Sequence, residues 1–156
     1  MHPNYAPKEV FEQILRWAVI PTFDLVIEHS NKGVILVKRT IAPYQNQWAL
    51  PGLRMFKGES INDTLKRIAQ QELGLEINLE NKQFLAQFVG KFKTEQERQD
   101  ISSGYIIKIN DEQEIKFNKE HFSAMIFVSS VEEIPQNIGA MYKFYLTKYF
   151  ELKEKL

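Results

Sequence analysis

The 156-residue chain contains no cysteine. Disulfides and thiolate-held metals are therefore excluded, and any metal must rest on oxygen or imidazole. Net charge is also lacking, since 20 basic residues balance 20 acidic ones. No basic excess points to a nucleic-acid backbone, and no polybasic run points to an anionic membrane. No apolar stretch is long enough to cross a bilayer. The opening MHPNYAPKEVF lacks a basic start followed by an apolar run, so a signal peptide is not expected. These absences leave a soluble, cytoplasmic protein with no nucleic-acid and no membrane partner. Repeats, low-complexity tracts and Pro/Gly/Ser-rich linkers are missing too. The length suits one domain, residues 1–156, with a single sizeable core.

The apolar pattern supplies the elements. PKEVFEQILRWAV, residues 7–19, suits a short helix with Pro7 near its first turn and Val10, Ile14 and Trp17 on one side. TFDLVIEH and GVILVKRT read as strands joined by the turn SNKG, which predicts a hairpin. NQWALPG is a short strand that stops at Pro51, and a loop follows it. QFLAQFVGKF, SGYIIKI, EIKF and AMIFVS are further strands, with KTEQERQDIS as a polar loop. A short helical turn at SVEEI precedes a long last helix, whose Phe144, Tyr145, Tyr149 and Phe150 read as core or dimer contact. Strands in pairs with few helices favour an α+β fold around a mixed sheet.

The stretch PGLRMFKGESINDTLKRIAQQELGL, residues 51–75, carries the main anomaly. Ser60 is a good N-cap, and Asp63 three residues on makes a capping-box variant. Gly74 suits the C-terminal cap. Ile61, Leu65, Ile68, Ala69 and Leu73 form one apolar stripe, and Glu72 falls inside it. An unpaired buried carboxylate costs several kcal/mol. Three outcomes answer this: an ion pair with Arg67 or Lys66, fraying of the last turn into water, or ligation of a divalent metal. Mg²⁺ accepts few protein ligands when phosphate and water complete its shell. Arg39, Arg54 and Arg67 gather around this segment and would suit a diphosphate, because guanidinium binds phosphate oxygens bidentately.

The stretch resembles the box of the Nudix hydrolases, with Gly52, Glu59, Arg67, Glu72, Gly74 and Leu75 in matching places. It departs from the usual box at Ile68 and Gln71, where glutamates are normal, and at Leu53, the second place of the usual Gly-Gly. Leu53 adds bulk where substrate passes. The arginine and last glutamate without the other carboxylates resemble the GDP-mannose mannosyl hydrolase branch, and the likeness runs from Asp24 to Gly74 without a gap. The resemblance implies the Nudix fold, an α/β/α sandwich around a mixed β-sheet. It implies Mg²⁺, with Mn²⁺ able to substitute, held by the Gly52 carbonyl, Glu72 and a nucleotide-sugar diphosphate. Arg39, Arg54 and Arg67 take the leaving group, Asp24 and Tyr105 match further site residues, and His121 takes the place of the general base.

The residues taken singly leave alternatives. Asp24 also reads as an outward polar residue, Tyr105 as packing, and Glu59 as a first-turn helix residue, or a structural or outer-sphere partner of Arg67 and the metal. A neutral His121 imidazole suits proton abstraction from water. His29 sits at a turn with little functional weight, and His2 is expected to be disordered. The leading expectation is hydrolysis of GDP-mannose or a near relative by attack at the anomeric carbon, in a homodimer. The rivals are a conventional pyrophosphohydrolase, with Glu112, Glu114 or Glu120 as an extra ligand, and a non-catalytic nucleotide-binding protein.

Overall fold

A seven-stranded mixed sheet sits between helices in the computed structural model, which describes residues 5–155. His2 lies outside the described residues. The elements run α1 (Lys8–Trp17), β1 (Val19–His29), β2 (Gly33–Arg39), β3 (Trp48–Ala49), β4 (Gly52–Arg54), α2 (Ile61–Leu73), β5 (Gln83–Lys91), β6 (Gln99–Ile109), β7 (Phe122–Val128) and α3 (Ala140–Glu154), with a 3₁₀ turn at Val131–Glu133. The path is β3-β2-β1-β6-β5, with β4 on β1 and β7 on β2. The β1–β6 pair is parallel and runs the full strand length, from Val19↔Gln99 to His29↔Ile109. The expected hairpin closes at Glu28↔Val34 and His29↔Gly33.

Alternation along β1 and β2 divides the core. Leu25, Ile27, Ile35 and Val37 meet Leu65, Ile68 and Leu73 of α2. Val26, Val34 and Leu36 meet Met141, Tyr145 and Tyr149 of α3. Both faces of these central strands are covered, which is why their sequences read as near-continuous apolar runs. The α/β/α sandwich inferred from the sequence is the observed architecture. The α3 aromatics Tyr145, Tyr149 and Phe150 are buried within the chain's own core. Among the described residues no helix is long and apolar enough to cross a membrane.

Four expectations are corrected. The side of α1 carrying Val10, Ile14 and Trp17 is exposed, Trp17 to 79%, and the helix buries Leu15 instead. The segment after Pro51 is not loop throughout: Gly52–Arg54 pairs antiparallel with Thr22–Asp24. Strand β6 starts at Gln99, four residues earlier than read, because pairing with both β1 and β5 satisfies its polar stretch. EIKF is not a strand; its neighbourhood is tied to α2, with Lys116 N donating to Leu73 O and Asn118 N to Glu72 O. These donors satisfy carbonyls that the end of α2 would otherwise leave open.

Candidate active site

Helix α2 is set by its own ends. Ser60 Oγ accepts from Asp63 N at 3.1 Å, and Asp63 returns the bond by accepting from Ser60 N at 3.0 Å. Gly74 stops the helix at φ +66°, a left-handed conformation costly for residues with a Cβ. The periodicity between these caps turns Glu72 inward, where its exposure is 0%. The chain clamped at Lys116 and Asn118 then brings His121 up to it. His121 Nδ1 lies 2.8 Å from Glu72 Oε1 and 3.1 Å from Oε2. The partner of the buried carboxylate is therefore neither Arg67 nor Lys66, and the last turn is intact. This hydrogen bond, above all, raises the His121 pKa from its ordinary value, against the lowering effect of burial. The pairing thus favours the protonated imidazole more than water does.

Glu72 and His121 open onto a cavity of about 250 Å³. Its floor is the sheet: Thr22 and Asp24 from β1, Gly52 and Arg54 from β4, Asp100 from β6. The register Asp24↔Gly52 presses two strands together. A Cβ at position 52 would lie 2.1 Å from Asp24 Oδ1 and 2.7 Å from Phe23 O, so only glycine fits this approach. Asp24 is buried, and burial pushes its pKa up to about 7 against the opposing Ser102 hydrogen bond and Arg39 charge. It accepts from Ser102 Oγ, which in turn accepts from Tyr145 Oη at 2.8 Å. Asp24 is thus not an outward-facing surface residue.

Of the expected arginines, two reach the cavity. Arg39 lines it, with Nε 2.6 Å from Pro43 O, so part of its fork orders its own loop. Arg54 lies over three rings, 4.7 Å from the Phe56 centroid, 4.9 Å from Phe11 and 5.5 Å from Tyr5. Burial first, then the charges of Arg67 and Arg98, hold its pKa below the ordinary value. A cation gathered among cations is relieved by an anion. Arg67 is placed elsewhere. Its Nε and Nη2 donate to Glu59 at 2.7 and 2.8 Å, and Nη2 also donates to Arg54 O at 2.7 Å. Glu59 accepts further from Phe56 N and Thr64 Oγ1. This pair braces β4 against α2 behind the cavity rather than facing into it, because the bidentate fork is already filled.

Tyr105 is also away from the cavity. It stacks on Phe23 at 6.2 Å and meets Phe84 edge-on at 5.6 Å. The tyrosines lining the cavity are Tyr5, Tyr44 and Tyr142, and Leu53 lines it as expected. Thr22, Arg98 and Asp100 escaped the sequence reading: Thr22 was read only as the start of a strand, and residues 93–102 were read as loop. The period-2 pair Thr22 and Asp24 on β1, with Asp100 and Ser102 at the same spacing on β6, was the available signal. His29 is buried beside the hairpin turn, accepting from Asn31 N at 3.1 Å.

The donors present fit a hard cation. Glu72 offers a buried carboxylate to the cavity, and Gly52 stands beside it without a side chain, a setting of oxygen donors that suits Mg²⁺ or Mn²⁺. Among the described residues no three His, Asp or Glu side chains form a ready metal cage, so a cation here would draw the rest of its shell from water or a ligand. Glu112, Glu114 and Glu120 are exposed and do not line the cavity.

The model of the NUDIX domain matches residues 19–148. The Haloferax volcanii low-salt glycan biosynthesis protein Agl8 is 36% identical over 76 residues, 49% of this chain and 48% of its own length. The chain thus matches about half the length of that curated relative. The MutT NUDIX hydrolase of Burkholderia pseudomallei has a TM-score of 0.72 at 18% identity, covering 83% of this chain and 96% of its own. The NUDIX domain of Shewanella oneidensis NrtR, in complex with ADP ribose, has a TM-score of 0.69 at 18% identity, covering 96% and 94%.

Proposed function

The chain belongs to the Nudix family, and from that premise we propose that it hydrolyses a nucleotide sugar, GDP-mannose or a near relative, to free sugar and nucleoside diphosphate. The observation that carries this reading is Glu72. Helix α2 presents this one carboxylate to the cavity, while Ile68 lies in the core and Gln71 is exposed. A conventional Nudix site with several metals draws on the carboxylates that are replaced here. A glycan-related role named for Agl8 and the ADP ribose bound by the NrtR domain support a sugar joined to a nucleoside diphosphate.

Gly52 and Glu72 would hold Mg²⁺ together with the substrate. Bound there, it would supply positive charge to offset that on the departing diphosphate. Arg54, half-buried on its aromatic platform, presents donors to the same leaving group, and Arg39 adds charge from the opposite loop. Such donors are worth most where water is excluded and no reorganisation is needed. His121, in its neutral form, would serve as the base for water at the anomeric carbon, on the side opposite the leaving group, as in inverting glycosidases. Arg67 and Glu59 keep β4 and Arg54 in place. A homodimer in the cytoplasm and one domain spanning 1–156 belong to the same proposal, and sedimentation tests the first.

The decisive experiment is hydrolysis of a nucleotide-sugar panel in ¹⁸O-water with Mg²⁺. Label in the free sugar is the expected result. Label in the nucleotide or phosphate overturns it in favour of a pyrophosphohydrolase. Binding without turnover favours the non-catalytic reading.

A further inference from the structure

Among the described residues, Thr22 Oγ1 is buried without a hydrogen-bond partner. Thr22 is only 8% exposed and lines the cavity. A hydroxyl left this way costs about 1–3 kcal/mol, so folded chains rarely keep one without a use. Its surroundings are polar. In the parallel register Thr22 stands opposite Ser102, and Asp100 lies two residues before Ser102 on the same face of β6. Asp100 is also buried and lines the cavity. Its Oδ1 accepts from Arg98 Nε at 2.6 Å, which fixes the carboxylate and leaves Oδ2 for a ligand. Arg98 is held in turn by Glu95 at 3.3 Å.

We propose that Thr22 and Asp100 form a subsite for a hydroxyl group of the substrate, which donates to Asp100 and hydrogen-bonds with Thr22 Oγ1. A carboxylate only accepts, whereas a threonine hydroxyl both donates and accepts. An alcohol matches that pair, being donor and acceptor at one atom. The cavity, at about 250 Å³, falls below the usual 300–1,000 Å³ of ligand pockets, so a nucleotide sugar engages it with part of its length. The subsite rests on the nucleotide-sugar reading above and adds to it a selector. A site built to bond a hydroxyl rejects the analogue lacking it strongly, because its own polar groups are then stranded. The hydroxyl belongs to the hexose or to the ribose, both of which carry the same chemistry.

The test is a substrate-deletion cycle with Thr22→Val, which keeps the shape and removes only the hydroxyl. The probes are GDP-mannose and its monodeoxy analogues in the hexose and in the ribose. In the wild type, one analogue should lose about tenfold or more in kcat/KM relative to the parent. Thr22→Val should lose a similar factor on the parent and nothing further on that analogue, whose position names the source of the hydroxyl. The apo variant should melt no lower than wild type, since the hydroxyl bonds no other group among the described residues. A lower Tm makes Thr22 structural and overturns the proposal. So do additive losses on every analogue, or a loss that tracks a base change from guanine to hypoxanthine alone. The same cycle on dissociation constants by titration calorimetry needs no turnover. Coupling in binding without hydrolysis fails the functional reading and keeps the subsite, and hydrolysis without coupling does the reverse. Absence of binding by every probe overturns both.

Discussion

Glu72 and His121, 49 positions apart in sequence, meet with His121 Nδ1 2.8 Å from Glu72 Oε1. The contact depends on β7 pairing with β2, which sets Phe122 opposite Arg39 and leaves His121 just before the strand. It is reinforced by Asn118 N donating to the Glu72 carbonyl. A charge placed on the buried face of a helix is thus answered from the far end of the chain.

Glu72→Gln and His121→Gln should separate in metal titration. The first removes the carboxylate and should abolish measurable Mg²⁺ affinity while circular dichroism stays native. The second frees the carboxylate of its imidazole, so affinity should hold or rise. Both should lose about 10²-fold or more in kcat, as removal of a positioned base or charge does. Unchanged affinity in Glu72→Gln removes Glu72 from the metal.

Arg54→Ala and Arg67→Ala should fail differently. Arg54→Ala is expected to cost about 10²-fold in kcat with little change in Tm, through lost stabilisation of the leaving group. Arg67→Ala leaves Glu59 without its bidentate partner and should cost about 1–3 kcal/mol of stability, read by denaturant unfolding. A rise in KM alone for Arg54→Ala means that Arg54 binds ground state and transition state alike.

The Glu59 brace predicts an acid limb in stability. The Arg67 hydrogen bonds hold the Glu59 pKa at about 2, against 4.5 ordinarily. The folded value is depressed, so the stabilisation is complete above 4.5 and fades as pH falls from there towards 2. Unfolding of wild type and Glu59→Gln should differ most near about pH 6, narrow below about pH 4.5 and converge only as pH falls through about 2. A gap independent of pH contradicts a charged Glu59.

Gly52→Ala should destabilise the chain by about 1–3 kcal/mol, the usual cost of overpacking. Its Cβ would collide with Phe23 O, a backbone atom, as well as with Asp24. Thermal melts check this, and a neutral result would mean that β4 moves freely off β1.

Local chemistry was legible in the sequence. The Ser60 and Asp63 caps, the Gly74 stop, the β1–β2 hairpin and the inward turn of Glu72 follow from rules that act over a few residues. The motif between Gly52 and Leu75 marked the family for the same reason, since one helix and its flanks carry it. Tertiary structure alone decided which groups meet. Arg67 and Arg54 look alike in sequence, yet one fills its fork on Glu59 and the other faces the cavity. Tyr105 shares β6 with Asp100, yet odd and even positions point to opposite faces, which puts Asp100 at the cavity and Tyr105 against Phe23. Thr22, Asp100 and His121 became neighbours of the box only through the β1–β4 and β1–β6 pairings and the docking of β7 on β2. Strand order is a long-range choice, settled by which faces bury together, and no short window of sequence contains it.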